Sequence, residues 1–321
     1  MSDPKPYTTI DERIAFLTAR GMSLDVDEAR HWLSVVNYYR LSGYWYPYRS
    51  RKNGETLESF QPGTEFSQVA HLYEFDRKLG TLIHDGLERI EVALRASLVE
   101  TLGVQGPMVY QDPTVFRPDF NHHKWMARAR KRVERARRHS AVVQHHDKHY
   151  DGQLPLWVLV DFLDFSDSSQ LFEGLRAADQ FSVAQTLNMA PDVQVLSKTQ
   201  ARKVKKQQPL VRWLEQLTIL RNTTAHYGRV WNSTYVPAGT TALKASFSNF
   251  GSLPESTSYR VYGSLVVIGH ILSLVSPGST WLWKVRTLVE DLFLPFTGLS
   301  VTDMGFPDGW QEHSIWTPRG A

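Results

Sequence analysis

Between residues 72 and 98 the chain repeats apolar side chains at the period of an α-helix: Leu72, Phe75, Leu79, Leu82, Ile83, Leu87, Ile90, Leu94 and Leu98. At about 3.6 residues per turn this is a single helix of about seven turns with one apolar stripe. A helix of that length and pattern is held mainly by whatever covers the stripe. The remainder of the chain must therefore supply packing partners, and its patterns make those partners helices too.

"TTIDERIAFLTARGM" offers Thr8 or Thr9 as an N-cap, Glu12 at the capping-box position and Gly21 as a stop. "DVDEARHWLSVVNYYRLSGYWYPYR" can be capped by Asp25 or Asp27 and repeats Ala29, Trp32, Leu33 and Val36; its aromatic tail turns at Gly43 and is stopped by Pro47. "RKNGETLESFQPGTEF" is a polar loop with room for a short hairpin. A basic helix is expected over about 122–146, then the segment "LPLWVLVDFLDFSDSSQLFEGL" at 154–175, then a polar stretch to about 208, then a helix over about 209–232 with Pro209 in its first turn. Residues 233–258 read as a loop, followed by apolar helices near 259–275 and 279–294 and a Gly/Pro-rich tail. There is no internal repeat, no strand alternation and no phosphate-binding glycine loop. The expected class is all-α or mostly α: one helical unit across residues 1–321 with additional N-terminal and C-terminal helices and long loops.

The chain has no cysteine, which excludes disulfides, thiolate catalysis and cysteine-based zinc sites and fits a reducing compartment. Its start lacks a basic-then-apolar signal pattern, so a cytoplasmic location is expected. The most apolar window, "VYGSLVVIGHILSLV" at 261–275, falls short of the ~20 apolar residues of a spanning helix and reads as a buried core helix; no membrane partner is expected.

The polar stretch "LRNTTAHYGRVWN" at 220–232 interrupts this pattern. On a continuous helix Asn222, His226 and Arg229 share one face, while Arg221 lies about 140° from His226 and must reach around the helix or meet the histidine of a second copy. An imidazole and a guanidinium suit RNA backbone cleavage without a metal. Imidazoles in general titrate near ~6.5 and can move the protons of a 2′-hydroxyl attack. A fork-shaped guanidinium can hold the charge that builds on the phosphorane oxygens. Asn222 can fix the imidazole or hold a phosphate oxygen. An ordinary exposed helix face is the competing reading of the spacing alone.

A grip for RNA is expected in "HHKWMARARKRVERARRH", where Lys124, Arg128, Arg130, Lys131, Arg132, Arg135, Arg137 and Arg138 are countered by Glu134 alone. Lys203, Lys205 and Lys206 form a second patch before the motif helix. His145 and His149 stand at i, i+4, but without the acidic partner of a zinc-protease motif no metal site and no cofactor are expected. The aromatic run at 38–48 serves either packing or base stacking, and Glu88, Arg89, Glu91 and Arg95 pair along their own helix.

"RNTTAH" resembles the R-x4-6-H signature of the HEPN superfamily, and its context resembles the Abi-like (abortive infection, AbiD/AbiF type) branch. Further segments agree in order, among them "VNYYRLSGYWYPY" at 36–48, "LYEFDRKLGTLIHDGLERIEVALRASL" at 72–98, "LPLWVLVDFLDFSDSSQLFEGL" at 154–175 and "MGFPDGWQEHSIW" at 304–316. "DFLDFS" at 161–166 departs from the glutamate and phenylalanine-glycine of that branch. The resemblance implies an all-helical HEPN bundle, often dimeric, acting as a metal-independent endoribonuclease or RNA-binding effector in defence against phage. It maps Arg221 and His226 to the catalytic pair, Asn222 to the polar helper, and Arg229 and Asn232 to supporting positions. A homodimer, an RNA substrate and a small non-coding RNA antitoxin are the partners it implies.

Overall fold

The computed structural model describes residues 6–317. The order is α1 (Ile10–Ala19), α2 (Val26–Val35), α3 (Tyr38–Trp45), a β1–β2 hairpin (Arg49–Lys52, Glu55–Phe60) and α4 (Phe66–Gly103). Then come α5 (His122–Ala136), α6 (Ala141–His149), α7 (Leu156–Leu159), α8 (Phe165–Gly174), α9 (Ala177–Thr186), α10 (Lys198–Lys206) and α11 (Leu210–Ala225). A short pair β3–β4 (Ala238–Gly239, Thr257–Ser258) brackets α12 (Thr241–Ser246), and α13 (Val261–Val275) and α14 (Trp281–Leu288) follow. The class is mostly α, as expected.

The chain forms two compact units: Met1–Gly80 with Val285–Asp303, and Thr81–Lys284 with Met304–Ala321. Helix α4 begins in the first and continues into the second.

In the first unit Thr9 and Glu12 close the expected capping box, and Asp25 caps α2. The expected single helix through the aromatic run is two helices. Val36 turns extended and Asn37 caps α3 by accepting from the Tyr39 amide at 2.8 Å, so Gly43 lies inside a helix instead of at a turn. The run mostly packs: Trp45, Tyr44 and Tyr48 are buried while Tyr39 is exposed. The Tyr44 hydroxyl donates to the buried Asp76 carboxylate at 2.8 Å; burial first, and that carboxylate second, push its phenol well above the usual range. The hairpin turns on Asn53 and Gly54, both left-handed.

In the second unit α13 is the centre. Every residue from Val261 to Leu272 is buried, as its apolar run demands. Its buried His270 is satisfied by the Asn188 carbonyl at 2.8 Å and Asn249 at 3.2 Å. Gly86 of α4 faces it: a Cβ there would stand 2.7 Å from Ile268, so only glycine permits this approach. Helix α11 packs on α8 and α13 through Leu210, Trp213, Leu214, Leu217 and Leu220, all fully buried. Its buried Gln216 donates to the Val236 and Ser258 carbonyls at 2.7 and 3.0 Å and accepts from Ser264 at 2.8 Å. With Trp213 donating to the Gly239 carbonyl at 3.1 Å, these bonds pin the 233–258 loop onto the motif helix.

Two helices, α9 and α10, occupy the polar stretch that runs to about 208. The basic helix ends at Ala136, and Ser140 caps a separate α6 by accepting from the Val143 amide at 3.3 Å. Among the described residues no helix is long and apolar enough to cross a membrane.

Candidate functional site

Helix α11 presents the polar motif at its carboxyl end and stops earlier than the sequence suggested. Gly228 donates to the Thr223 carbonyl at 2.7 Å and Tyr227 to the Thr224 carbonyl at 3.0 Å, the paired bonds of a Schellman stop. Tyr227 takes the left-handed conformation, φ 56°, that glycine usually fills. His226 is the C-cap residue, so Asn222, His226 and Arg229 do not share a helix face. Arg229 and Asn232 sit on the segment beyond, which buried Val230 and Trp231 hold in place. The Arg229 carbonyl accepts from Ser233 at 2.7 Å, and the Asn232 carbonyl from Arg260 at 2.6 Å.

Arg221 is half-buried on the last turns of α11 and His226 is exposed at the cap. No hydrogen bond joins the two within one chain; Arg221 Nη1 donates to the Asn222 side-chain oxygen at 3.4 Å. The Arg221 charge also acts on Glu91 of α4. Glu91 pairs with Arg95, whose Nη2 donates in addition to the Leu163 carbonyl at 2.6 Å. Burial pushes the Glu91 carboxyl up, against the pull of Arg95 and then Arg221. The expected intrahelical pair is present, but sequence reading missed that the Arg221 charge acts on it. The available signal was position: Glu91 borders the apolar stripe of α4 beside Leu87, Ile90 and Leu94.

A family model described as Abi-like protein matches residues 31–232, most of the chain and ending on the last residue of the motif. The chain belongs to the Abi-like family. Membership suggests abortive infection, a defence against phage. No curated protein and no solved structure matches this Abi-like chain.

The structure divides the basic residues of the Abi-like chain into two sets. Arg128 and Arg132 of α5 face α8: Arg132 Nε donates to Asp167 at 2.8 Å and its other arm pairs with Asp164, while Arg128 bonds Gln170 and lies 3.9 Å from Asp167. Asp167 is 1% exposed, so these cations neutralise a buried acid. Arg137 pairs with Glu134 at 2.9 Å and with Asp147. In contrast Lys124, Lys131 and Arg135 stand at i, i+7 and i+11 on one exposed face of α5 with no ion pair, as do exposed Arg130 and Arg138 elsewhere. Lys203, Lys205 and Lys206 are exposed on α10, whose Val204 faces inward. The His145 and His149 rings stand 4.6 Å apart, and the described residues contain no group of three potential metal ligands.

Proposed function

We propose that this Abi-like chain is a metal-independent endoribonuclease of HEPN type that acts as a toxic effector in abortive infection. The observation that carries the reading is the placement of Arg221 and His226 at the carboxyl end of one firmly packed helix, with the guanidinium half-buried and the imidazole open to solvent. In the reaction His226 moves the protons: one leaves the 2′-hydroxyl as its oxygen attacks phosphorus, and one reaches the departing 5′-oxygen. The products are a 2′,3′-cyclic phosphate and a 5′-hydroxyl. Arg221 holds the phosphorane oxygens, where a charged fork is worth most. Asn222 bonds Arg221 and orients it.

Because the two groups share no bond within a chain, a homodimer completes the cleft, the Arg221 of one copy facing the His226 of the other. The exposed cations of α5 and α10 hold the RNA backbone, and a small non-coding RNA lying on them restrains the toxin by covering the cleft. The test is cleavage of single-stranded RNA in EDTA by the parent and by His226→Ala. Cleavage by the parent alone supports the reading. Equal inertness with persistent RNA binding turns it into a binding protein that uses the same face.

A further inference from the structure

A cavity of about 400 Å³ opens at the amino end of α5 and shares Lys124 with the stripe of exposed cations that follows it. Lys124 and Arg128 contribute positive charge, Gln170 an amide, Glu173 and Asp119 carboxylates and Phe120 an aromatic wall. Three features make it a built site. The Phe120 ring lies directly on the backbone of Gly174, where a Cβ would stand 2.7 Å from ring atoms, so the glycine fixes the ring's seat. Arg117, also in the lining, is locked by donating to the Leu175 carbonyl at 2.7 Å and the Lys206 carbonyl at 2.6 Å. Arg128 is held by its bond to Gln170. The volume lies in the range of small-ligand sites.

We infer that this cavity is a guanine-binding pocket. Every nucleobase has a face that stacks on an aromatic ring, so Phe120 favours a base without choosing one. The charged edges choose. Guanine alone places two adjacent donors, N1–H and the 2-amino group, on the edge that one carboxylate can accept together. Its opposite edge carries the O6 and N7 acceptors that an arginine or lysine meets. Glu173 supplies the first complement and Lys124 the second, with Arg128, already bonded to Gln170, adding positive charge beside it. Adenine and cytosine put a ring-nitrogen lone pair beside their amino group, which a carboxylate repels; uracil offers one N–H between two carbonyls.

The pocket adjoins the exposed cations of α5, so an unstacked guanosine of a bound RNA is one source of the base and a free guanine nucleotide is the other. Only the first source rests on the RNA reading above. The experiment is calorimetric titration of the whole chain with GMP, AMP, CMP, UMP and inorganic phosphate. The expected result is GMP bound at least about tenfold more tightly than the other nucleotides, a preference lost in Glu173→Gln and kept in His226→Ala. Phe120→Leu keeps an apolar side chain against Gly174 and should weaken all four nucleotides together. Four nucleotides bound within twofold, phosphate competing as well as GMP, or a preference untouched by Glu173→Gln would each overturn the proposal. A uridine oligomer with one central guanosine, compared with plain oligouridine, separates the sources. Preference for the guanosine oligomer assigns the pocket to RNA; equal oligomer affinities beside selective GMP binding assign it to the free nucleotide. None of these readouts involves cleavage, so an inactive ribonuclease and a failed pocket give different results.

Discussion

Gly228 donates its amide to the Thr223 carbonyl at 2.7 Å, and that bond ends the motif helix just before His226. The exposed histidine thereby sits at the cap, while half-buried Arg221 lies within regular helix.

The turn is closed by a left-handed tyrosine. A non-glycine residue there costs about 1 kcal/mol or more relative to glycine. Tyr227→Gly should therefore be more stable than Tyr227→Ala by about 1 kcal/mol in thermal or urea unfolding, since both remove the tyrosine ring and only glycine takes the left-handed conformation freely. Equal stability of the two variants would mean that residue 227 is not held left-handed.

Arg132 should matter to the fold more than to any ligand. Its guanidinium neutralises Asp167, which is 1% exposed, and also pairs with Asp164. Removing one partner of a buried pair leaves an uncompensated charge, so Arg132→Ala should cost about 3 kcal/mol in urea unfolding. A change within about 0.5 kcal/mol would show that Arg128 alone suffices.

The free stripe should behave in the opposite way. Lys131→Ala with Arg135→Ala should leave unfolding nearly unchanged and lower RNA affinity. On single-stranded RNA the slope of log affinity against log salt should become shallower by about 1.4, two contacts at about 0.7 each. An unchanged slope would place the RNA elsewhere.

Glu91 gives a pH signature. Its carboxyl is raised by burial, so the folded state holds its proton at pH values where the unfolded chain has released it. Stability from this group is full below the unfolded value, ~4.3, and is lost as pH rises through the raised folded value. Measured relative to Glu91→Gln, the parent's unfolding free energy should therefore fall as pH rises above about 4.5. Parallel profiles for the two proteins would refute the assignment.

Elements whose signals are local were legible in the sequence. The Thr9–Glu12 box, the Asp25 cap, the α4 stripe and the buried α13 all follow from capping chemistry and helical period. What failed was the length of polar helices. Helix α10 buries only Val204 and so carries no apolar stripe to read. The break at Ser140 depends on a serine accepting a single amide, and serines do this in many non-breaking contexts. The end of α11 was hidden because a tyrosine fills the glycine position of its stop. At the candidate site, residue types and order were legible, whereas the effect of the Arg221 charge on Glu91 joins positions 130 residues apart, 221 minus 91, and is a product of packing.

The most direct measurement is complementation between inactive variants in EDTA. Arg221→Ala and His226→Ala should each lose at least about a hundredfold of single-stranded RNA cleavage. Mixed and allowed to exchange subunits, they should recover about a quarter of parent activity, because half of randomly paired dimers carry one intact cleft of two. A mixture no more active than either variant, beside an active parent, would contradict the shared cleft. A parent that cleaves nothing in EDTA would contradict the ribonuclease itself.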